Sequence, residues 1–212
     1  GSLTGNLKEI DDLLHKFWGP IFRQYANITA PCPTAFKQKY GRYIPRAEPM
    51  TRQALTPTAL AETLKRASSS SSVGVDGWSY GDLKLLPQEL LLRLCELFEL
   101  IEETGTWPSA IAQGLISAVP KDGGGLDAAH IRPITVMSCV YRLWAATRTR
   151  ELTAWQGTWI TGAVASYRPC YGCEDVWWTV ALQIEHSILA DLPLVGASLD
   201  FAKAFDKLPM EV

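Results

Sequence analysis

The stretch LISAVPKDGGGLDAAHIRPITV, residues 115–136, decides the fold class of this 212-residue chain. Two short runs that suit β-strands, 115–119 and 131–136, flank an Asp-Gly-Gly-Gly-Leu segment. Strand-forming runs joined by a glycine-rich turn predict a β-hairpin. Because the sequence on both sides of this stretch has helical periodicity, we predict an α+β fold that is rich in helices and carries one hairpin.

The predicted helices come before and after the hairpin. The most regular one has apolar residues at helical spacing from 90 to 101, with Pro87 at its start and Gly105 at its end. We expect Gly19-Pro20 to end the first helix, and Thr56-Pro57 to begin the second. A last apolar run, 194–201, predicts a buried strand. The helical patterns cover residues 7–17, 57–64, 87–104, 139–155 and 175–190.

Composition and charge restrict the class of protein. The chain has 47% hydrophobic and 20% charged residues, which is typical of a folded globular protein and not of a disordered one. Its net charge of −2 gives no overall attraction for nucleic acid or an anionic membrane, so such a partner would need a local basic patch. Five cysteines without a secretory leader predict an intracellular, reducing location, nuclear or cytoplasmic. No apolar run approaches the roughly 20 residues of a membrane helix, so we expect no membrane partner.

One local basic patch occurs near the start of the chain. Between residues 36 and 52 there are five cations and a single acidic residue, with aromatic residues between them. Cations that follow a phosphate backbone and rings that stack on bases are typical of single-stranded nucleic-acid contacts, while an exposed linker of mixed charge explains the segment equally well. The candidate template-binding residues are Lys37, Lys39, Arg42 and Arg46.

Three further places carry candidate chemistry. Asp200 follows the apolar run, where a carboxylate could bind a divalent cation such as Mg²⁺ or could cap a following helix. Lys121 and Arg132 lie on the two arms of the hairpin, where they could hold a polyphosphate or could be exposed solubilising cations. Cys170 and Cys173 have the spacing of half a zinc site or a redox pair, but no further ligands lie nearby, which favours free thiols.

The order of these segments resembles a known enzyme family. The blocks that carry the likeness are GVDG (74–77), LKLLP (83–87), WP (107–108), LISAVPK (115–121), IRPI (131–134) and LDFAKAFD (199–206). Together they are similar to the successive blocks of reverse transcriptases, above all those of non-LTR, LINE-type retrotransposons. The resemblance spans residues from about 56 to 212 and depends most on RPI followed by DFAKAFD.

The resemblance implies a domain plan. Residues 1–55 would be an N-terminal helical extension with the basic segment. Residues 56–190 would be helix-rich fingers with the hairpin as fingertip. Residues 191–212 would begin the palm, with its first strand and its first acidic block, and the palm would be incomplete.

The resemblance also implies residue roles. Asp200 matches the first catalytic aspartate, which holds both Mg²⁺ ions of an RNA-directed DNA polymerase, and Phe201 matches the residue whose carbonyl contacts one of them. Lys121 and Arg132 match residues that grip the incoming dNTP, and Phe205 matches the aromatic gate that excludes a ribose 2′-hydroxyl. The implied partners are an RNA template, a DNA primer and the dNTP.

The chain departs from the family pattern in two places. Residues 166–170 read SYRPC where the family has GFRPG, so two glycines are replaced. The family's second acidic block, Tyr/Phe-x-Asp-Asp, does not occur in the 212 residues, so we expect this stretch to be inactive alone and to need a downstream palm and thumb or self-association. The alternatives are a non-catalytic nucleic-acid-binding or scaffold module that retains the fingers fold, and an interaction domain without a nucleic-acid partner.

Overall fold

The structure is a computed structural model that describes residues 4–27, 32–121, 123, 125 and 127–207. In this part of the chain, strands β1 (Leu115–Pro120) and β2 (Ile131–Val136) form an antiparallel hairpin. The predicted turn residues Asp122, Gly124 and Leu126 lie outside the described residues. The helices are α1 (Leu7–Phe22), α2 (Pro33–Tyr40), α3 (Pro57–Arg66), α4 (Tyr80–Lys84), α5 (Gln88–Thr104), α6 (Ser109–Ala112), α7 (Cys139–Gln156) and α8 (Cys173–Ala190), with 3₁₀ turns at Gly41–Tyr43 and Ala128–His130.

The predicted α+β class, with its helix-rich composition and its hairpin, is confirmed. Local signals explain where the best-predicted helices begin and end. The side chain of Thr56 accepts a hydrogen bond from the backbone N–H of Ala59 at the start of α3, and proline follows at the first helical position. Gly105 ends α5 in a left-handed conformation with φ 67°, which glycine adopts without steric cost.

The described chain divides into two compact units. The first unit comprises Gly1–Pro45, Val119–Arg132 and Trp177–Val212, and the second comprises Arg46–Ala118 and Pro133–Val176. This division does not test the predicted domains 1–55, 56–190 and 191–212, which stay predictions.

The hydrophobic core lies in the second unit, where α3 packs against α4, α5 and α7. Leu60, Phe98 and Leu143, from three of these helices, are completely buried. Burying such side chains stabilises the fold by about 1.5–3 kcal/mol each. The other members of the core are Leu55, Leu64, Tyr80, Leu83, Leu91, Cys95, Ile101, Cys139 and Val140.

A shielded ion pair connects α5 to α7. The carboxylate of Glu102 accepts hydrogen bonds from Nε and Nη2 of Arg148 at 2.6 and 2.8 Å, and from Nε1 of Trp144 at 2.7 Å. Burial alone would raise the pKa of Glu102, but the hydrogen bonds from Arg148 and Trp144 and the charges of Arg148 and Arg52 lower it below its usual value. The pair fixes how the two helices are rotated against each other.

Three expectations about elements were wrong or incomplete. Helix α1 does not end at Gly19-Pro20 but continues through Pro20 to Phe22. Proline has no backbone N–H to donate, and because Pro20 lies in the last turn the helix loses only one hydrogen bond at its end. The buried strand at 194–201 is not formed, because a strand needs a hydrogen-bonded neighbour and the sheet described here holds only β1 and β2. The short helices α2, α4 and α6 were not predicted.

Candidate nucleotide and nucleic-acid interface

The tip of the hairpin, in the first unit, places Lys121 beside a capped turn. The backbone N–H of Lys121 donates to the carbonyl of His130 at 2.8 Å and so extends the pairing of the two arms. The carboxylate of Asp127 accepts from the N–H groups of Ala129 and His130, and lies 2.9 Å from Nδ1 of His130. The hydrogen bond with His130 lowers the pKa of Asp127. Helix α1 packs against this turn.

The acidic block forms a turn and not the expected strand end. Asp200 is exposed, as is the whole stretch from residue 191 to 202. Residues 202–207 form turns, with the N–H of Lys207 donating to the carbonyl of Lys203 at 3.1 Å. The expected buried strand before Asp200 is therefore wrong, and so is the alternative that Asp200 caps a helix, since turns follow it within the described residues.

The segment 200–207 lies against α1 within the first unit. Nζ of Lys203 lies 3.6 Å from the ring centroid of Trp18 and 4.4 Å from that of Phe17. Loss of hydration lowers the pKa of Lys203; Asp206 opposes this effect, while the positive charges of Lys121 and Lys207 lower the pKa further. The hairpin tip and the acidic block, which are distant in sequence, thus both contact α1.

The remaining predicted nucleotide-site residues are open to solvent. Arg132 is exposed on β2, and Phe201 and Phe205 are 79% and 78% exposed. Among the residues that the structure describes, no group of three or more His, Cys, Asp or Glu side chains could hold a metal ion. Within the described residues, Asp200 therefore offers one carboxylate without the others that a two-ion site requires.

The basic segment is partly helical and fully accessible. Helix α2 and the 3₁₀ turn after it carry cations next to aromatic rings: Nζ of Lys39 lies 5.1 Å from the ring centroid of Tyr40, and the guanidinium carbon of Arg42 lies 4.6 Å from that of Tyr43. The rings of Phe36, Tyr40 and Tyr43 are 40–68% exposed. The candidate template-binding residues Lys37, Lys39, Arg42 and Arg46 are all exposed.

The SYRPC stretch contains left-handed backbone where the family pattern predicts glycine. Cys170 has φ 62°, so a residue with a side chain occupies a backbone conformation that favours glycine. Ser166, at the other replaced glycine, is not left-handed. The second left-handed residue of the stretch is Tyr167, with φ 58°. Arg168 donates to two backbone carbonyls, and its guanidinium carbon lies 3.9 Å from the ring centroid of Tyr171. Both residues line a pocket of about 280 Å³ beside the end of α7.

The GVDG block has a structural role in the second unit. Ser138, which caps α7 by accepting from the N–H of Val140, donates from its hydroxyl to the carboxylate of Asp76 at 2.6 Å. A Cβ on Gly74 would lie 2.6 Å from Cα of Ser138, so only glycine fits at this approach. The block thus ties the loop before α4 to the first turn of α7.

The sequence analysis left the role of one cysteine pair open and did not identify three residues of the first unit. Cys170 and Cys173 are both exposed and are not joined by a disulfide. Phe17, Trp18 and Lys203 were not singled out, because neither spacing nor composition indicates that α1 meets the acidic block.

Within the described residues, no helix is both long enough and apolar enough to span a bilayer.

Comparison with known proteins supports part of the resemblance. No model of a known protein family matches the sequence. Over 146 residues, 68% of the chain, the sequence is 30% identical to the retrovirus-related Pol polyprotein from the type-2 retrotransposable element R2DM of Drosophila melanogaster. The chain spans only 13% of the length of that polyprotein. The similarity supports a retrotransposon-related origin for the chain.

Proposed function

We propose that this chain is the nucleotide- and template-binding region of an RNA-directed DNA polymerase, a reverse transcriptase of the non-LTR, LINE-type retrotransposon branch. The observation that carries the proposal is that one helix, α1, contacts both the hairpin tip that follows Lys121 and the segment that begins at Asp200. The similarity to a retrotransposon Pol polyprotein supports it independently.

In this proposal the two motifs form one nucleotide site. Lys121 and Arg132 attract the triphosphate of a dNTP, Arg132 with a bidentate fork and Lys121 with a mobile point charge. Phe205, whose ring is open to solvent, packs against the sugar and selects against a 2′-hydroxyl. Asp200 and the carbonyl of Phe201 are the ligands that this chain offers to Mg²⁺, which supplies charge stabilisation in nucleotidyl transfer when it is bound.

The basic segment is the proposed template contact. Its cations can follow the phosphates of a single-stranded RNA, and its exposed rings can stack on bases. For single-stranded nucleic acid, the logarithm of the binding constant falls with the logarithm of salt concentration with a slope of about −0.7 for each phosphate neutralised. Four neutralising contacts would thus give a slope of about −2.8.

Binding of a fluorescent single-stranded RNA at several salt concentrations tests the template contact. We expect the Lys37→Ala/Lys39→Ala double variant to bind more weakly and to lower the slope by about 1.4. The double variant Lys8→Ala/Lys16→Ala is the matched control, since it removes two exposed lysines of α1. Equal slopes for the two double variants would remove α2 from the interface, and no salt-dependent binding at all would favour an interaction domain without a nucleic-acid partner.

A second candidate function is a nucleic-acid-binding or scaffold module without polymerase chemistry. It is favoured by the single carboxylate at residue 200 and by the finding that no metal-binding cluster occurs in the described part of the chain. Primer extension by the chain, alone and mixed with a separately expressed palm and thumb, distinguishes the two functions. Extension that is restored by the mixture and lost in Asp200→Asn supports the polymerase, while RNA binding without restored extension supports the scaffold.

A further inference from the structure

Lys203 combines two unfavourable features, although it belongs to a largely exposed turn. Its backbone is left-handed, with φ 55°, a conformation that costs energy for any residue with a side chain. Its ammonium nitrogen is shielded from solvent and has no hydrogen-bond partner. Local strain of this kind persists only where the surroundings hold a residue in place, and it is concentrated at functional sites.

Helix α1 provides the surroundings that hold Lys203. The ammonium lies over the faces of Trp18 and Phe17, which attract a cation through the negative potential of the ring face. Trp18 is only 6% exposed, so its ring is a fixed surface and not a mobile one. A second tie comes from Gln24, near the end of the helix, whose Nε2 donates to the carbonyl of Lys207 at 3.2 Å.

A loose surface contact between the turn and α1 does not explain why the ammonium of Lys203 is shielded from solvent. A surface lysine that rests on an aromatic ring keeps its charged end in water and loses little hydration. The ammonium of Lys203 has instead left the solvent, which is unfavourable for an ion unless the site that receives it compensates. The contact with α1 is therefore where the compensation for the desolvated ammonium must come from.

We propose that α1 positions the nucleotide-binding segment, with Phe17 and Trp18 clamping Lys203 so that the turn beginning at Asp200 is held on the same helix as the hairpin tip. Trp18 and Lys203 are positioning residues, since they act on the site through the backbone of the turn. The inference deepens the proposed function and rests on it for the identity of the bound nucleotide, whereas the clamp itself is tested without any ligand.

Hydrogen exchange of the intact 212-residue chain tests the clamp. We expect Lys203→Ala to speed exchange of the Lys207 amide, which donates to the carbonyl of residue 203, about tenfold, because the attraction of a desolvated cation for the two rings is lost. Trp18→Leu should have the same effect, and Lys203→Arg should keep the slow exchange, since a guanidinium also stacks on aromatic rings. Lys207→Ala is the matched control, because α1 holds that residue through its backbone carbonyl. Unchanged exchange in α5 shows that each variant is folded.

Equal exchange in Lys203→Ala and Lys207→Ala would overturn the clamp. The positioning role is tested by the dissociation constant for dATP in the presence of Mg²⁺, which should rise severalfold in Lys203→Ala and return in Lys203→Arg. Faster exchange with an unchanged dissociation constant would show that α1 holds the turn without affecting nucleotide binding, and would overturn the inference. If the unaltered chain binds no dATP, the proposed function fails, while the exchange result still decides whether α1 holds the turn.

Discussion

The substitution Glu102→Gln tests how α5 and α7 are held together. The carboxylate is only 9% exposed and receives both the fork of Arg148 and the indole N–H of Trp144. Glutamine has the same shape, but it carries no charge and replaces one acceptor oxygen by an NH₂ group. That group would face the N–H donors of Arg148, so the substitution removes the better shielded of the two carboxylates that balance the charge of Arg148.

The magnitude follows from the burial of the pair. Removing one partner of a buried ion pair costs about 3–5 kcal/mol, because the other charge stays desolvated. We expect the lower end, about 3 kcal/mol, since Arg148 keeps its contact with Glu151 at 2.9 Å and the glutamine oxygen can still accept from Trp144. The matched control is Glu96→Gln on the same helix, where both partners of the Arg93 pair are at least half exposed and the loss should stay below about 1 kcal/mol.

Urea unfolding of the two variants and the unaltered chain measures both losses. For a chain of this size, 3 kcal/mol corresponds to a fall in melting temperature of about 6–12 °C. The pH dependence gives a second test, since the folded-state pKa of Glu102 is lowered. Its stabilisation is fully present above the unfolded pKa of about 4.3 and is lost as the pH falls through the lower folded pKa, so Glu102→Gln should flatten the acid side of the stability curve. An equal loss in Glu102→Gln and Glu96→Gln would show that the shielded pair contributes no more than an exposed one.

Three further outcomes are expected. Cys170→Gly should raise the unfolding free energy by about 0.5–1 kcal/mol, because glycine relieves the left-handed strain. Ser166→Gly should lower the unfolding free energy by a similar amount, because glycine increases the entropy of the unfolded chain. Urea unfolding of both variants measures the two changes. Gly74→Ala should cost about 1–3 kcal/mol by overlap with the backbone that begins α7, while Gly41→Ala, which meets open space, should be nearly neutral in the same assay. In an active polymerase that contains this stretch, Phe205→Val should admit ribonucleotides in primer extension, and unchanged selectivity would refute the gate.

The elements that were predictable from the sequence are those whose signals are local. The start of α3 depends on a threonine cap followed by proline, and the end of α5 depends on a glycine that can adopt positive φ. The hairpin depends on two strand-forming runs and the turn between them. Each signal involves residues within a few positions of one another, so the element can be predicted without knowing what packs against it.

The features that escaped prediction depend on contacts between distant residues. The apolar run 194–201 has the composition of a buried strand, but pairing requires a neighbouring strand, and in the described structure the run is exposed. The pairing of Glu102 with Arg148 depends on the rotation of two helices, and the contact of Trp18 with Lys203 depends on where the chain returns after α8. No short-range pattern encodes such geometry, so the candidate nucleotide site was predictable as residues but not as an arrangement.

Stability and site geometry have different sources in this chain. The core residues belong to the second unit, whereas the described residues from 191 to 207 contribute no buried side chain. Asp200→Asn should therefore change the unfolding free energy by less than about 0.5 kcal/mol, as is usual for an exposed position. The same substitution should weaken Mg²⁺-dependent dATP binding if the carboxylate is a metal ligand. A loss of binding at constant stability would assign Asp200 to the site, while parallel losses would show that it serves the fold instead.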